Sequence, residues 1–290
     1  MASTEPDVLG LDVGGTKTAW GVISSEGKLK TSGTFPTPST KEEFLEAVRQ
    51  IVKAHPVQAM GIGIAGIVSS DHQDLVVSPY LPQLSHFELV KALEEECGLI
   101  ATIDNDARCA LIGEVWLGAA SDVTSAVLIT LGTGVGGAVM QKGVVLPHPH
   151  DLSQELGRIM ANPADLFPAP SGKGTVEALI GGRNLAERFG LEVGELLAGA
   201  RAGDPELTGF VSIIAENFMT SLRAIHEVYS CKLMIIGGKG LHNLDLYLGA
   251  NPPCQVVPAV LGEQAGIYGA ARLALDALEM EQLEQLEWGE

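Results

Sequence analysis

β-prone apolar runs predict a β-hairpin over residues 8–23 and a third strand over 28–35. Helical periodicity follows over 40–54, where Phe44, Val48, Ile51 and Val52 share a face. Ser39 or Thr40 is the expected N-cap, with acids in the first turn. A strand is predicted over 59–68, a helix over 87–97 ending at Gly98, a short strand over 100–103 and a helix over 107–118. The same order then begins again. A hairpin is expected over 126–145, helices over 175–189 and 194–200, and a long helix over 206–229. Phe210, Ile213, Ile214, Phe218, Leu222 and Ile225 lie on or near one face of that long helix. A buried strand over 232–236 and a final helix over 264–286 complete the series. Strands mixed with helices, hairpins first, imply α/β lobes with mixed sheets. The least regular stretch, 147–174, contains Pro147, Pro149, Pro163, Pro168 and Pro170 and reads as a functional loop.

Composition narrows the class. The chain has 290 residues and is 46% hydrophobic, enough for two lobes with real cores. A formal net charge of −18 argues against a nucleic-acid or membrane-surface role, though not against a bound nucleotide. Cys97, Cys109, Cys231 and Cys254 are scattered without the spacing of a zinc knuckle or redox motif, so they read as buried apolar residues in a reducing cytosol. The first residues do not form a secretory signal, and no apolar run is long enough to span a bilayer. A cytoplasmic location is expected.

Two look-alike segments carry the candidate chemistry: L-D-V-G-G-T-K-T, residues 11–18, and L-G-T-G-V-G-G-A, residues 131–138. Each joins two β-prone runs through a glycine turn, whose backbone N–H groups suit a closely approaching anion. Two such turns imply duplicated halves that hold one phosphate chain. The run G-I-G-I-A-G, residues 61–66, matches the dinucleotide fingerprint formally, but a strand rather than a helix continues beyond it. Close packing of a glycine-rich strand is the favoured reading, with a substrate contact near Gly66 left open. No G-x-x-x-x-G-K-[ST] is present. D-N-D-A, residues 104–107, lies after a strand and before a helix. Asp104 or Asp106 could serve as the carboxylate that deprotonates an attacking hydroxyl, and Asn105 or Asp104 could equally be a helix cap. A third glycine turn follows in I-I-G-G-K-G-L, residues 235–241.

In this order, the motifs resemble those of the ROK family of sugar kinases and related repressors, glucokinase-like members of the hexokinase and actin superfamily. The resemblance implies two lobes of duplicated ribonuclease H-like architecture with mixed sheets. The first lobe would span 7–112, completed by the C-terminal helix 264–285, and the second 113–263, with a substrate loop over 147–174. S-P-Y-L-P, residues 78–82, resembles the family's S-P-N-L-P, D-N-D-A its E-N-D-A, and the stretch 263–271 its C-terminal helix.

The resemblance also implies roles. Asp106 would be the general base, and Asn105 with Asp106 would contact the sugar. Asp12 and Thr16 would lie near the transferred phosphoryl group and magnesium, with Asp12 acting on the metal indirectly. Gly14, Gly15, Lys17, Thr133 and Gly134 would hold the ATP phosphates, and Gly237 and Gly238 would border the adenosine. Glu155 and Glu177 would accept hydrogen bonds from sugar hydroxyls, with Gly66, Tyr80 and Arg158 also at the substrate. Tyr80 replaces the family's asparagine, and Arg158 stands where the family has a zinc- and sugar-binding histidine. The family's cysteine run is replaced by P-A-P-S-G-K-G-T, residues 168–175. His148 and His150 do not make that site, so no zinc is expected. A homodimer is expected from the apolar helix surface in the C-terminal half. The alternatives to an ATP-dependent kinase are polyphosphate as donor and a non-catalytic sugar sensor.

Overall fold

The computed structural model describes residues 6–147 and 155–287. The chain forms two compact units, one reaching to Ser121 and including the stretch from Gln264 onward, the other Asp122–Glu263. In the first unit the strands are β1 (Asp7–Val13), β2 (Lys17–Ser24), β3 (Leu29–Pro36), β4 (Ala59–Ile64), the short β5 (Ile67–Val68) and β6 (Leu75–Val77), and β7 (Ile100–Asn105). Its helices are α1 (Lys41–Ala54), α2 (Leu89–Cys97) and α3 (Asp106–Leu117). The second unit contains β8 (Ala126–Leu131), β9 (Val135–Gln141), β10 (Val144–Val145), α4 (Val176–Ile180), α5 (Gly182–Phe189), α6 (Val193–Arg201) and α7 (Pro205–Tyr229). It continues through β11 (Leu233–Gly238), α8 (Leu244–Tyr247) and β12 (Gln255–Pro258), after which α9 (Ala265–Glu287) belongs to the first unit.

The two main sheets repeat one topology. Their orders are β3-β2-β1-β4-β7 and β10-β9-β8-β11-β12. In each, an antiparallel meander supplies three strands, and the two others join parallel to the meander's first strand and to each other. The fold is thus the duplicated mixed-sheet architecture that the sequence implies. Each unit has its own core. Leu9, Leu11, Met60, Ile62 and Ile103 are fully buried against Phe44, Val48 and Leu93 in the first. Met234 and Ile236 pack with Phe218, Leu222 and Ile225 of α7 in the second.

Thr40 caps α1 by accepting from the Glu43 N–H, with Glu42 and Glu43 in the first turn. Elsewhere the boundaries move. The strand expected over 59–68 ends at Ile64, turns through Gly66 at φ 151, and resumes as β5 in a separate hairpin with β6. The helix expected over 175–189 breaks at Gly181 into α4 and α5, because Gly181 is extended (φ −69, ψ 133).

The glycines of β4 serve close packing. A Cβ on Gly61 would collide with the Ala270 carbonyl oxygen of α9, and one on Gly63 would press on Cys109 of α3 at 3.1 Å. Gly10 of β1 meets the Ile267 carbonyl of α9 in the same way. Three glycines on adjacent strands therefore let two helices lie directly on the sheet backbone. Among the described residues, no helix is long and apolar enough to cross a membrane.

Candidate active site

Parallel register aligns the chemistry of the first unit. Asp12 pairs with Gly63, and Gly63 with Asp104, so both carboxylates sit near the C-terminal ends of parallel strands, β1 and β7, on either side of β4. α/β folds bind ligands at this end. Beyond β7 the three polar residues of D-N-D divide their work. Asp104 is 2% exposed, and both its oxygens accept from Arg108 Nε at 2.9 Å, one turn along α3. Its Oδ1 also accepts from the Asn105 N–H at 2.7 Å. Asn105 is the N-cap of α3, accepting from the Ala107 and Arg108 N–H groups, and its Nδ2 donates to the Gly66 carbonyl at 3.1 Å. Asp106 is the half-buried first residue of the helix, and its Oδ1 accepts from the Ala107 N–H at 2.9 Å. A carboxylate locked on a buried guanidinium is a poor proton acceptor, because protonation would strand the charge of its partner. Asp104 is therefore engaged as the structural partner of Arg108.

Asp12 feels Asp106. Burial, and then the Asp106 charge, push the Asp12 carboxyl up to about 7, with Lys17 opposing. On its other side Asp12 faces Gly266 of α9, where a Cβ would lie 2.8 Å from the carboxyl carbon. The turn that follows is tight: the Gly14 N–H donates to the Lys17 carbonyl at 3.1 Å. Thr37 fastens it from β3's end, its hydroxyl donating to the Gly14 carbonyl at 2.7 Å and its N–H to the Thr16 carbonyl. Gly15, Thr16 and Lys17 are exposed at the tip. Tyr80 lies against this turn, where a Cβ on Gly15 would come within 3.0 Å of Tyr80 Cβ. Ser78 holds the Tyr80 segment by accepting from the Tyr80 and Leu81 N–H groups. The donors available for a cation here are carboxylate and hydroxyl oxygens (Asp12, Asp106 and Thr16), a set that suits magnesium.

The second unit builds its own turn. The Gly132 N–H donates to the Gly134 carbonyl at 3.1 Å, and the Gly182 and Arg183 N–H groups of α5 donate to the Gly132 and Thr133 carbonyls. Glu177 accepts from the Val135 N–H at 3.0 Å, and a Cβ on Gly134 would meet its Oε2 at 2.5 Å. Thr175 caps α4 and so fixes Glu177 in its first turn. Glu155 and Arg158 flank a short 3₁₀ turn in which the Arg158 N–H donates to the Glu155 carbonyl. Gly157 between them packs on Val135 and on Glu177 Cβ. Register and turn packing thus bring Gly134, Glu155, Arg158 and Glu177 together. Arg158 Nε is buried without a hydrogen-bond partner. Of the expected substrate loop, 148–154, including His148 and His150, lie outside the described residues. The remainder is tied to α5 by an Asp165–Arg188 ion pair.

A cavity of about 660 Å³ opens beside Gly132 and Thr133. Its walls include Arg183, Gly194, Phe218, Gly240, His242 and Tyr247. Gly237 and Gly238 end β11 and are not among the cavity's lining residues; Gly238 takes φ 65, and a Cβ there would meet the Leu131 carbonyl at 2.6 Å. Sequence reasoning missed Arg183, Phe218 and His242, which reach the cavity from helices and turns that are distant in sequence.

A ROK family sequence profile matches residues 8–277. The chain belongs to the ROK family. N-acetylmannosamine kinase of Escherichia coli is 30% identical over 285 residues, covering 92% of this chain and 97% of the relative. A ROK glucokinase from Streptomyces griseus, solved in complex with glucose and AMPPNP, aligns with TM-score 0.75 at 28% identity, covering 93% of this chain and 99% of that one. A ROK hexokinase from Thermus thermophilus aligns with TM-score 0.79 at 29% identity, covering 95% and 99%. Within this ROK chain, Tyr80 sits against the Gly14–Lys17 turn, and Arg158 ends the 3₁₀ turn Leu156–Arg158.

Proposed function

We propose that this chain is an ATP- and magnesium-dependent kinase that phosphorylates a primary hydroxyl of a hexose or hexose derivative, with Asp106 as general base. It is a carbohydrate phosphotransferase, in keeping with relatives named as N-acetylmannosamine kinase and glucokinase. The division of labour in D-N-D carries the reading. Asp104 is held by Arg108 and Asn105 by the helix cap, while the half-buried Asp106 opens α3 directly beyond the end of β7, close enough to Asp12 to raise its carboxyl.

In the reaction Asp106 takes the proton of the sugar hydroxyl as the oxygen bonds to the γ-phosphorus of ATP. The bond from that phosphorus to the bridging oxygen breaks, and ADP leaves. The turns at Gly14–Lys17 and at Gly132–Gly134 each offer backbone N–H groups to phosphate oxygens. The cavity beside Thr133 is of a size for a nucleoside, and Arg183 supplies positive charge at its rim. Magnesium, when bound, offsets charge on the transferred group. Asp12 and Thr16 are the residues that would hold it, directly or through water. Tyr80, Asn105, Glu155, Arg158 and Glu177 select the sugar.

The test is a phosphotransfer assay over a sugar panel that includes glucose, mannose and N-acetylmannosamine, with ATP and polyphosphate as separate donors. Transfer from ATP to one of these sugars supports the reading. Sugar binding without transfer from either donor would make the chain a sensor instead.

The Asp12 carboxyl adds a pH signature. With its value raised to about 7, the proton competes with magnesium below that pH. At limiting magnesium, activity is expected to rise as pH climbs through about 7. A tenfold rise in magnesium should move the midpoint acidward by up to about one unit. Rate–pH profiles at several magnesium concentrations check this, and a midpoint indifferent to magnesium would remove Asp12 from the metal's surroundings.

A further inference from the structure

We propose that His226, Cys231 and Cys254 form a binding site for a thiophilic divalent cation of the zinc class, at the end of the second unit's sheet away from its glycine turns. Three elements converge there. His226 lies in the last turn of α7. Ser230, at φ 47, ends that helix in the left-handed conformation and swings the chain back, so that Cys231 follows directly. Cys254 immediately precedes β12, whose first residue, Gln255, pairs with Leu233 of the parallel β11. The register thus places two cysteines, 23 residues apart in sequence, at neighbouring strand starts.

The separations match a coordination sphere. Cys231 Sγ lies 3.9 Å from Cys254 Sγ and 4.0 Å from His226 Nδ1. All three ligand atoms lie within 4.8 Å of one another. Ligands at ordinary zinc distances in a tetrahedron stand about 3.8 Å apart for two sulfurs and about 3.6 Å for sulfur and nitrogen. Small side-chain rotations therefore close the site. Cys231 is buried, while His226 and Cys254 are half-exposed, so the fourth position opens to solvent and a water fills it. Binding converts two thiols to thiolates, and their protons pass to the buffer.

A disulfide pair alone would leave His226 Nδ1, 4.0 Å from Cys231 Sγ, without a part in the cluster. The proposal revises the sequence expectation of no zinc. That expectation rested on the 168–175 segment and on cysteine spacing, and neither reports what strand register brings together. The site stands apart from the proposed phosphotransfer chemistry. Cys231 precedes β11, whereas Gly238 ends it, about 20 Å away at the rise of a β-strand.

The experiment uses the full chain, reduced with a phosphine, freed of metal by a chelator, and titrated with Co²⁺ as the spectroscopic probe. The expected result is one Co²⁺ per chain, with visible bands of a tetrahedral ion and near-ultraviolet thiolate charge-transfer bands, all abolished by Zn²⁺. C254S should roughly halve the charge-transfer intensity, and H226A should weaken Co²⁺ binding at least about tenfold. Kinase activity should persist in C254S, so loss of the metal site and failure of the kinase reading are separable. Absence of the bands, or bands unchanged in C254S, overturns the proposal. So does a reduced protein that binds no Co²⁺ but becomes two hydrogens lighter in air, which would make Cys231 and Cys254 a disulfide pair.

Discussion

Asp106→Asn is expected to lower turnover by about 10² to 10⁴, the usual contribution of a positioned general base. Asparagine keeps the shape and the place at the start of α3, so the fold and the Asn105 cap should survive. Nucleotide affinity should change little, because the glycine turns are untouched. A second effect separates lost chemistry from lost structure. Asp106 is one of the charges that raise Asp12, so removing it should lower the Asp12 value and carry the acid limb of the residual activity to lower pH. Steady-state kinetics with a nucleotide-binding titration check both points. Wild-type turnover in this variant would end the assignment of Asp106. Asp104→Asn should behave differently. Arg108 would be left buried without its carboxylate partner, and the dominant loss should be stability, about 3 to 5 kcal/mol.

Gly61→Ala should destabilise the folded chain by at least about 3 kcal/mol, at the severe end for a single methyl group. The reason is the nature of the obstacle. The new Cβ would collide with the Ala270 carbonyl oxygen, which belongs to helix backbone and has no rotamer to escape into. Relief requires α9 to lift from β4. That would also disturb Gly10 under Ile267 and Gly269 against the Cys109 carbonyl of α3. Gly209→Ala is the control. Gly209 lies in α7, and its Cβ would meet nothing within 4 Å, so alanine should stabilise by up to about 1 kcal/mol. Denaturant melts of the two variants should move in opposite directions, and equal small shifts would mean that α9 rides loosely on the sheet.

The legible parts of the sequence were those written in local signals. Thr40 with its following acids marks the start of α1, and the glycine turns at Gly14 and Gly132 mark the two hairpins. The split of the strand at Gly66 was not legible. It depends on a hydrogen bond from Asn105, 39 residues away, and on a positive φ that only the packing around Val77 and Ser78 explains. Short edge elements such as β6, β12 and α8 are too brief to show a period, and β12 ends in Pro258, which suits an edge. In D-N-D-A, the pairing of Asp104 at the end of β7 with Arg108 in the first turn of α3 appears only once the strand-to-helix turn is built. The family resemblance implies a sugar contact for Glu177. Its bond to the Val135 N–H spans 42 residues and appears only once α4 packs on the second turn.

The path of α9 has a consequence for biogenesis. The second unit is one uninterrupted stretch of chain and holds all its core residues before α9 is translated. The first unit is begun earlier yet lacks the helix that covers Gly10 and Gly61 and seals Val8, Ile23 and Ala59 until the second has left the ribosome. A nascent chain therefore carries an unsealed apolar trough through most of its synthesis, the interval in which chaperones and aggregation compete for it. The half that is made first is the half that is finished last.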